Sequence, residues 1–425
     1  MMSQDQNRTL HIAYLASFPP RECGIATFTR DLALAVEHLT HTHAVVAAMN
    51  DRLDGYAYDE RVRVQIARND RSSYRHAAQQ LHQFPIDVIN VQHEYGLFGG
   101  DWGEYLLEFY HHATRPIVTT LHTVLPNPDP TLRRVTRELA EYSTSVVVLA
   151  ETAVPILERD YGIPRSSIKM IPHGVPIVEF SSTARARAKA ELGFADRLIL
   201  STFGLINPNK GIEYALRALP DIVRQHPKVL YLIIGETHPG VRAHQGENYR
   251  WQLHNLMREL DLGAFVVFVD RYMTLAQLVQ YLQATDVYVV PYLNPHQIVS
   301  GTLAYAVGAG KAIVATPLAY AREVLADGRG VLVPFRDSAA IARAVNRLLS
   351  DPGARAVMEQ RAFAYSREWT WRAVGAQYVN LFAEVLRDAV PTPAVRSPCS
   401  TDRLGWDFST RDLYPTRSAP RVHAG

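Results

Sequence analysis

Residues 287–316 read VYVVPYLNPHQIVSGTLAYAVGAGKAIVAT, and this stretch indicates how the whole chain is built. It begins with a short apolar run at Val287–Val290 and ends with another at Ala312–Ala315. Between them lie a loop and a segment of small residues that is long enough for a helix. A helix between two continuous apolar strands is typical of a parallel sheet that is covered on both faces.

Apolar runs of the same kind recur along the chain at intervals that leave room for helices. They occupy residues 11–15, 43–47, 62–66, 88–91, 117–121 and 145–149, and then 198–202, 229–234, 266–269, 287–290, 312–315 and 330–333. Two such series predict an α/β chain with two Rossmann-like, doubly wound parallel-sheet domains. We expect the first domain over residues 1–180 and the second over residues 181–370, with a break near residues 176–185.

The C-terminal part of the sequence differs in character from the two strand series. A helical pattern covers residues 371–388, whereas residues 389–425 are rich in Pro, Ser and Arg and show no periodicity. A segment of that composition buries too little apolar surface to order itself, so we expect the tail to be disordered.

The composition excludes several classes of protein. The 425 residues are 47% hydrophobic, and 44 Lys plus Arg against 42 Asp plus Glu give a net charge of +2, which argues against a nucleic-acid binder. No apolar run approaches the roughly 18 residues of a membrane span, and residues 1–9 lack a signal-peptide core. With only Cys23 and Cys399, a reducing cytoplasm is the expected setting, and peripheral membrane contact stays open.

Glycines and ionisable side chains follow several strands of the first half. Gly24 comes after the first strand, before a helix expected near residue 27; His93 and Glu94 follow the fourth, His122 follows the fifth, and His173 lies at the domain break. Ligands of doubly wound sheets bind beyond the carboxyl ends of the strands, so these residues are candidates for a site. A structural role is the alternative for each histidine considered singly. His93 and Glu94 have no third partner at metal-ligand spacing.

The second half carries a comparable set of loops. Gly204 and Lys210 lie between a strand and a helix, and Gly235 follows the next strand. Three residues stand where a later helix begins: Ser300, Gly301 and Thr302. Amide groups at a helix start and a nearby lysine suit a phosphate, although small residues here can also serve close helix–sheet packing. Patterns for a P-loop, a serine nucleophile elbow and a dinucleotide fingerprint are absent.

Together these segments resemble the retaining glycosyltransferases of family four, over roughly residues 10–388. The resemblance is carried by the order and spacing of the Gly24 loop, the His122 loop, 173–175, 204–211, Gly235, 287–292 and 310–316. It implies the GT-B fold, in which two Rossmann-like domains face a central cleft and the C-terminal helix crosses back to the first domain.

The resemblance also implies roles for individual residues. Lys210 would contact the donor diphosphate, with Gly204, Gly235 and the amides of residues 300–303 around the nucleotide, and His122 would face the transferred sugar. The first-domain positions would face the acceptor: Gly24, His93, Glu94 and His173. The fold generally works without a tightly bound metal, and no Asp-x-Asp occurs, so we expect no metal or other cofactor beside the nucleotide-sugar substrate.

Three positions depart from the family pattern. The usual pair of glutamates is replaced by Gln297 and Tyr305, and the usual arginine by Leu205. Gln297 can still bond a sugar hydroxyl, and Tyr305 can stack on or donate to a ribose. A missing charge-assisted contact to the diphosphate is worth on the order of 1.5–3 kcal/mol, so we expect the donor to be held differently.

Three functions are compatible with this sequence. The first is a hexosyltransferase with a glycan, lipid-linked or small-molecule acceptor; the second is a retaining sugar phosphorylase; the third is a non-catalytic sugar-nucleotide-binding subunit. The sequence favours the first, because a decayed site would not be expected to keep Lys210, His122 and His173 in place. Phosphate-dependent cleavage of a disaccharide without nucleotide would single out the phosphorylase.

Overall fold

The apolar runs assemble into two parallel sheets in the computed structural model, which describes residues 9–388. The predicted disordered tail at 389–425 lies outside the described residues. The first sheet contains β1 (Ile12–Ala16), β2 (Val45–Asn50), β3 (Val62–Ala67), β4 (Val88–His93), β5 (Ile117–Leu121), β6 (Ser145–Val148) and β7 (Ile168–Met170). The second contains β8 (Leu198–Phe203), β9 (Val229–Ile234), β10 (Val266–Val269), β11 (Val287–Val290), β12 (Ala312–Ala315) and β13 (Val331–Leu332).

Both sheets have the doubly wound strand order that the sequence predicted. The first runs β3-β2-β1-β4-β5-β6-β7 and the second β10-β9-β8-β11-β12-β13, and every recorded strand pair in them is parallel. The order reverses between β1 and β4 and again between β8 and β11. A crevice opens at such a reversal, beyond the carboxyl ends of the strands, so each sheet offers one natural ligand position.

Helices cover the faces of the two sheets. Those of the first half are α1 (Gly24–Thr40), α2 (Arg71–Leu81), α3 (Leu106–His112), α4 (Pro130–Glu141) and α5 (Ala153–Ile156). Those that follow are α6 (Ser182–Glu191), α7 (Ile212–Gln225), α8 (Pro239–Gln245), α9 (Asn248–Glu259), α10 (Leu275–Ala284), α11 (Gly301–Gly308), α12 (Ala319–Val324), α13 (Ser338–Ser350), α14 (Pro352–Tyr365) and α15 (Trp371–Asp388). Helix α1 begins at Gly24 and not near residue 27, because Cys23 is already extended and acts as its N-cap.

Helix α15 returns from the second half to pack on the first. Its buried face includes Tyr378 and Phe382, which share a core cluster with Phe28 and Leu32 of α1. The Tyr378 hydroxyl lies 3.0 Å from Thr120 Oγ1 of β5, and Glu384 forms a 2.7 Å ion pair with Lys169 of β7. The helix therefore joins the two halves covalently while its apolar face belongs to the first core.

Truncation of Phe382 tests this packing. Phe382→Ala should lower the free energy of unfolding by about 3–5 kcal/mol, because the ring is fully buried and its loss leaves a cavity. Val357→Ala, at an exposed position of α14, is the control and should change stability by less than about 0.5 kcal/mol. Denaturant titration followed by circular dichroism measures both, and equal effects would contradict the docking of α15.

Candidate active site

Phe28 of α1 lies at the centre of an aromatic group drawn from four parts of the chain. Its ring meets those of His122, His173 and Trp371 edge-on, with centroids 4.7, 5.0 and 5.1 Å away. His122 follows β5, His173 follows β7 and Trp371 opens α15. One side chain thus fixes the positions of both cleft histidines that the sequence singled out.

His173 carries this arrangement across to the second half. Its ring centroid is 5.8 Å from that of Tyr305 in α11, and a Cβ added to Gly301 would lie 2.8 Å from its Nε2 atom. Gly301 therefore has to be glycine for the start of α11 to approach His173 this closely. The structure brings His173, which shares the Phe28 ring with His122, beside the helix start that the sequence proposed for phosphate.

A chain of buried polar side chains orients His122. Gln92 donates its amide to Asn90 Oδ1, so its remaining oxygen accepts from His122 Nε2 over 2.8 Å and leaves Nδ1 unprotonated. Asn90 donates in turn to the Val118 carbonyl over 2.9 Å. The sequence analysis missed this network, because Asn90 and Gln92 find their partners only when β4 and β5 pair.

His93 and Glu94 lie at the end of β4, beside the start of the His122 loop. The His93 side chain is fully buried, its ring stacks on that of Phe98 with the centroids 5.5 Å apart, and its carbonyl accepts from the His122 amide over 2.9 Å. Glu94, the next residue, accepts from Thr123 Oγ1 at 2.7 Å and from the Tyr95 amide at 3.1 Å. Both of these donors are neutral, and burial raises the pKa of the Glu94 carboxyl. Contact of either residue with an acceptor stays a prediction. Gly24 lies in the first turn of α1, where an added Cβ would meet no atom within 4 Å.

Two glycines of the second half are forced into contact. A Cβ on Gly235, at φ +127°, would lie 2.2 Å from the Gly204 carbonyl oxygen. Gly204 itself is at φ +131°, and a Cβ there would lie 3.1 Å from Thr302 Cγ2 and 3.6 Å from Lys210 Nζ. Four candidates that are distant in sequence, namely Gly204, Lys210, Gly235 and Thr302, therefore converge at the carboxyl ends of β8 and β9 and the start of α11.

Lys210 presents its charge to this point without a carboxylate partner. Its Nζ lies 3.9 Å from the centroid of the Tyr292 ring, and no ion pair is recorded for it within residues 9–388. The Tyr292 hydroxyl bonds to Thr302 Oγ1 at 2.7 Å, and Ser300 caps α11 by accepting from the Leu303 amide. A cation, a hydroxyl and a helix N-terminus on one side of a glycine pair suit a diphosphate.

A second cation binds the backbone at the Gly204–Gly235 contact. Arg250 of α9 is buried, donates to the Gly235 carbonyl over 2.7 Å and pairs with Asp270 at 2.9 Å. Sequence reasoning missed it, because nothing local distinguishes this arginine from others on a helix surface. Position 205, where the family has an arginine, holds a half-buried leucine.

The two replaced glutamate positions have other partners in the structure. Gln297 donates its side-chain amide to the Val299 carbonyl over 2.9 Å, which holds its own loop. Tyr305 is buried, and its hydroxyl lies 3.4 Å from Asp31 Oδ2 of α1. Contacts of either residue with a donor stay a prediction.

Comparison with known structures places the fold in a class. HepE of Anabaena, solved with UDP, superposes with a TM-score of 0.70 at 20% identity, and the match covers 88% of this chain and 100% of that one. Two doubly wound sheets facing each other, with glycine loops at the strand ends, define the GT-B fold of glycosyltransferases.

Sequence comparison then gives the family. Residues 184–365 match the family model described as Glycosyl transferases group 1, and residues 23–179 match the one described as Glycosyltransferase Family 4. The two matches meet at the segment between the sheets. The chain belongs to the family 4 glycosyltransferases.

Curated relatives come from the same family. A phosphatidyl-myo-inositol mannosyltransferase of Mycolicibacterium smegmatis is 30% identical over 276 residues, which are 64% of this chain and 66% of that protein. The chain therefore matches slightly less than two thirds of this relative's length. A GDP-mannose-dependent alpha-(1-6)-phosphatidylinositol monomannoside mannosyltransferase of the same organism is 25% identical over 390 residues, 86% of this chain and 96% of that protein.

Two properties of residues 9–388 concern metal binding and membrane insertion. Among these residues no group of three or more His, Cys, Asp or Glu side chains is arranged to hold a metal ion. The helices of this part of the chain include none with the length and apolarity to span a membrane.

The glycine contact makes a direct prediction. Gly235→Ala should destabilise the protein by more than about 2 kcal/mol, because the new Cβ meets the Gly204 carbonyl and the backbone is in a region that alanine avoids. Gly263→Ala is the matched control, since an added Cβ there meets nothing within 4 Å. Denaturant titration measures both variants, and a stable Gly235→Ala protein would refute the close approach.

The buried histidines predict how stability depends on pH. Burial lowers the pKa of His93 and His122 to about 3 and that of His173 to about 4. Only the unfolded chain binds these protons between pH 6.5 and about 4, so stability is greatest above pH 6.5 and falls as pH drops. Each histidine contributes about 1.4 kcal/mol per pH unit there.

Substitution of His93 measures what this one histidine contributes to the pH dependence of stability. His93→Phe should reduce the slope of unfolding free energy against pH by one proton between pH 6 and pH 4.5, whereas His76→Gln, at an exposed position of α2, should not. Denaturant titrations across this pH range give the slopes. An unchanged slope in His93→Phe would show that His93 is protonated in the folded protein.

Proposed function

We propose that the chain is a retaining glycosyltransferase that moves a hexose from a nucleotide-sugar donor to a hydroxyl group of its acceptor. One observation carries the proposal: Lys210, free of carboxylates among the described residues, meets Thr302, the start of α11 and the Gly204–Gly235 contact at one point of the cleft. This point is the crevice where β8 and β11 part, and His173 lies against Gly301 on its other side.

The donor diphosphate is the ligand that this arrangement suits. Gly204 and Gly235 allow phosphate oxygens to approach the backbone, and Lys210 neutralises their charge. The α11 amides and Thr302 supply hydrogen-bond donors in place of the arginine that Leu205 replaces. UDP and UDP-glucose are bound in the solved HepE structures, and one relative is named as GDP-mannose-dependent, so we propose a UDP- or GDP-linked hexose.

The reaction follows from a stabilised leaving group. The bond between the sugar C1 and the diphosphate oxygen breaks as the acceptor oxygen bonds to C1 on the same face. The proton of the acceptor hydroxyl passes to the departing diphosphate oxygen, so no protein base is required. Lys210 and the α11 amides stabilise the charge that develops on the diphosphate, and His122, held by Gln92 and Phe28, bounds the sugar position.

For the acceptor we propose a polyhydroxylated molecule of the inositol type, free, phosphorylated or lipid-linked. The curated relatives are named for inositol phosphate or phosphatidylinositol acceptors. Glu94 and the start of α1 follow the carboxyl ends of β4 and β1, and we propose that the acceptor binds at this edge of the first sheet. A panel of UDP- and GDP-hexoses against inositol, inositol phosphate and phosphatidylinositol vesicles tests this. Transfer only from sugar 1-phosphate with release of phosphate, or phosphate-dependent cleavage of a disaccharide to sugar 1-phosphate, would instead indicate the phosphorylase.

Removal of the Lys210 charge tests the donor site. Lys210→Ala should lower kcat/KM by roughly 100- to 1,000-fold, because the lysine stabilises charge that is largest in the transition state. Lys228→Ala, at an exposed position before β9, is the control and should keep wild-type kinetics. Wild-type turnover in a folded Lys210→Ala protein would contradict the proposed phosphate role.

We also propose that the reaction needs no divalent metal, since Lys210 and the helix amides neutralise the diphosphate. Activity of the wild-type enzyme should be unchanged after dialysis against EDTA and without added Mg²⁺ or Mn²⁺. Loss of activity in EDTA that returns with either ion would overturn this part of the proposal.

A further inference from the structure

A cavity of about 310 Å³ lies on the side of the second half opposite the cleft. Its position follows from its lining: Lys311 directly precedes β12 and Gln283 lies near the end of α10, before β11, so the cavity is at the amino ends of these strands. The Gly204 and Gly235 loops are at the carboxyl ends. The volume is at the lower end of the ~300–1,000 Å³ typical of small-ligand pockets.

The innermost lining residue is a buried lysine without a counter-ion. Lys311 is 3% exposed, and its Nζ donates to the backbone carbonyls of Gln283 and Thr285 at 3.3 and 3.2 Å. No carboxylate of the described chain is recorded within 4.0 Å of it. These two carbonyls are neutral and use two of the three N–H groups of the ammonium. The third N–H group and the positive charge are left for another partner.

The surrounding charges do not provide that compensation. Lys189 pairs with Asp286 at 2.5 Å, and Arg185 reaches Glu359 at 2.7 Å and Asp286 at 3.7 Å. Arg355 also turns to Glu359, at 3.8 Å. With Lys311, four cationic side chains therefore share two carboxylates around this cavity.

The other acidic residue of the lining has partners of its own. Glu179 pairs with Arg187 at 2.7 Å and accepts from the Ser181 hydroxyl over 3.1 Å. Burial and the neighbouring Arg185 lower the pKa of Lys311 to about 7, and Glu359 and Asp286 only partly offset this effect. Buried charges of this kind are stabilised by an opposite charge brought within hydrogen-bonding distance.

We propose that this cavity binds a small molecule through its phosphate group, held between Lys311, Arg185 and Arg355. The Arg185 Nε–H is buried and lacks a partner in the described structure, so it is available to a phosphate oxygen. Ser181 and Ser182 add hydroxyl groups at the rim for the rest of the ligand. This site is distinct from the donor cleft and does not depend on the proposed reaction.

The location gives such a ligand a means to influence the cleft. Phe180 and Ser181, which line the cavity, belong to the segment that joins the two sheets. Phe180 stacks on Phe363 of α14 at 4.4 Å, and α14 leads to α15, the other connection between the halves. A phosphate group here would therefore lie beside the first chain crossing and against α14, the helix that precedes the second crossing.

Thermal unfolding of the full chain, in inorganic phosphate against sodium chloride of equal ionic strength, tests the proposal. Phosphate should raise the unfolding midpoint of the wild type and also of Lys210→Ala, in which the cleft is impaired. Lys311→Met and Arg355→Gln should lose that rise. Lys311→Met is expected to fold, since it removes an uncompensated charge and keeps the length of the side chain; Arg355→Gln, at a more accessible position, is the second variant.

Calorimetric titration with glucose 6-phosphate then measures the affinity directly. We expect binding to wild type and Lys210→Ala and at least tenfold weaker binding to the two cavity variants. If the phosphate response disappears in Lys210→Ala and persists in Lys311→Met and Arg355→Gln, phosphate binds only in the cleft and the proposal is wrong. No response beyond that to chloride in the wild type would equally overturn it.

Discussion

The edge-on contacts of the Phe28 ring with His122, His173 and Trp371 hold the cleft together. These three residues come from two strand ends of the first sheet and from the returning helix α15, so Phe28 fixes both histidines relative to the chain crossing. His173 then meets Gly301, and through it the start of α11. The position of the phosphate-facing helix relative to the first half thus depends on one buried ring and on one residue without a side chain.

The opposite wall of the cleft depends on backbone contact. The backbones of Gly235 and Gly204 are in contact at the ends of β9 and β8. A side chain on Gly235 would prevent this close approach. The contact leaves room for Lys210, and Arg250 secures it by binding the Gly235 carbonyl. Among residues 9–388 the site therefore combines Lys210, for which no ion pair is recorded, with Arg250, which pairs with Asp270. We propose that Lys210 serves the diphosphate without the arginine that the family has at position 205.

Periodicity predicted the fold well, since buried parallel strands are apolar throughout and are separated by helices. The runs at 117–121, 229–234, 266–269, 287–290 and 312–315 have the same bounds in the structure. The candidate loops were recognisable because glycines and ionisable residues at strand ends are uncommon without a reason. The partners of those residues were not, because Asp31, Asn90 and Arg250 reach the site only through tertiary packing. The burial of His93 against Phe98 could not be read from the sequence either, because Phe98 reaches it through the turn after β4.

The proposed donor site places the diphosphate of a nucleotide between Lys210 and the start of α11. A crystal structure of the protein with UDP or GDP, whichever of the two binds, is the decisive measurement. A diphosphate oxygen should then lie within about 3 Å of Lys210 Nζ, with others bonded to the amides of Gly301 or Thr302 and close to the Gly204 backbone. A nucleotide bound elsewhere, or one whose diphosphate avoids Lys210, would contradict it.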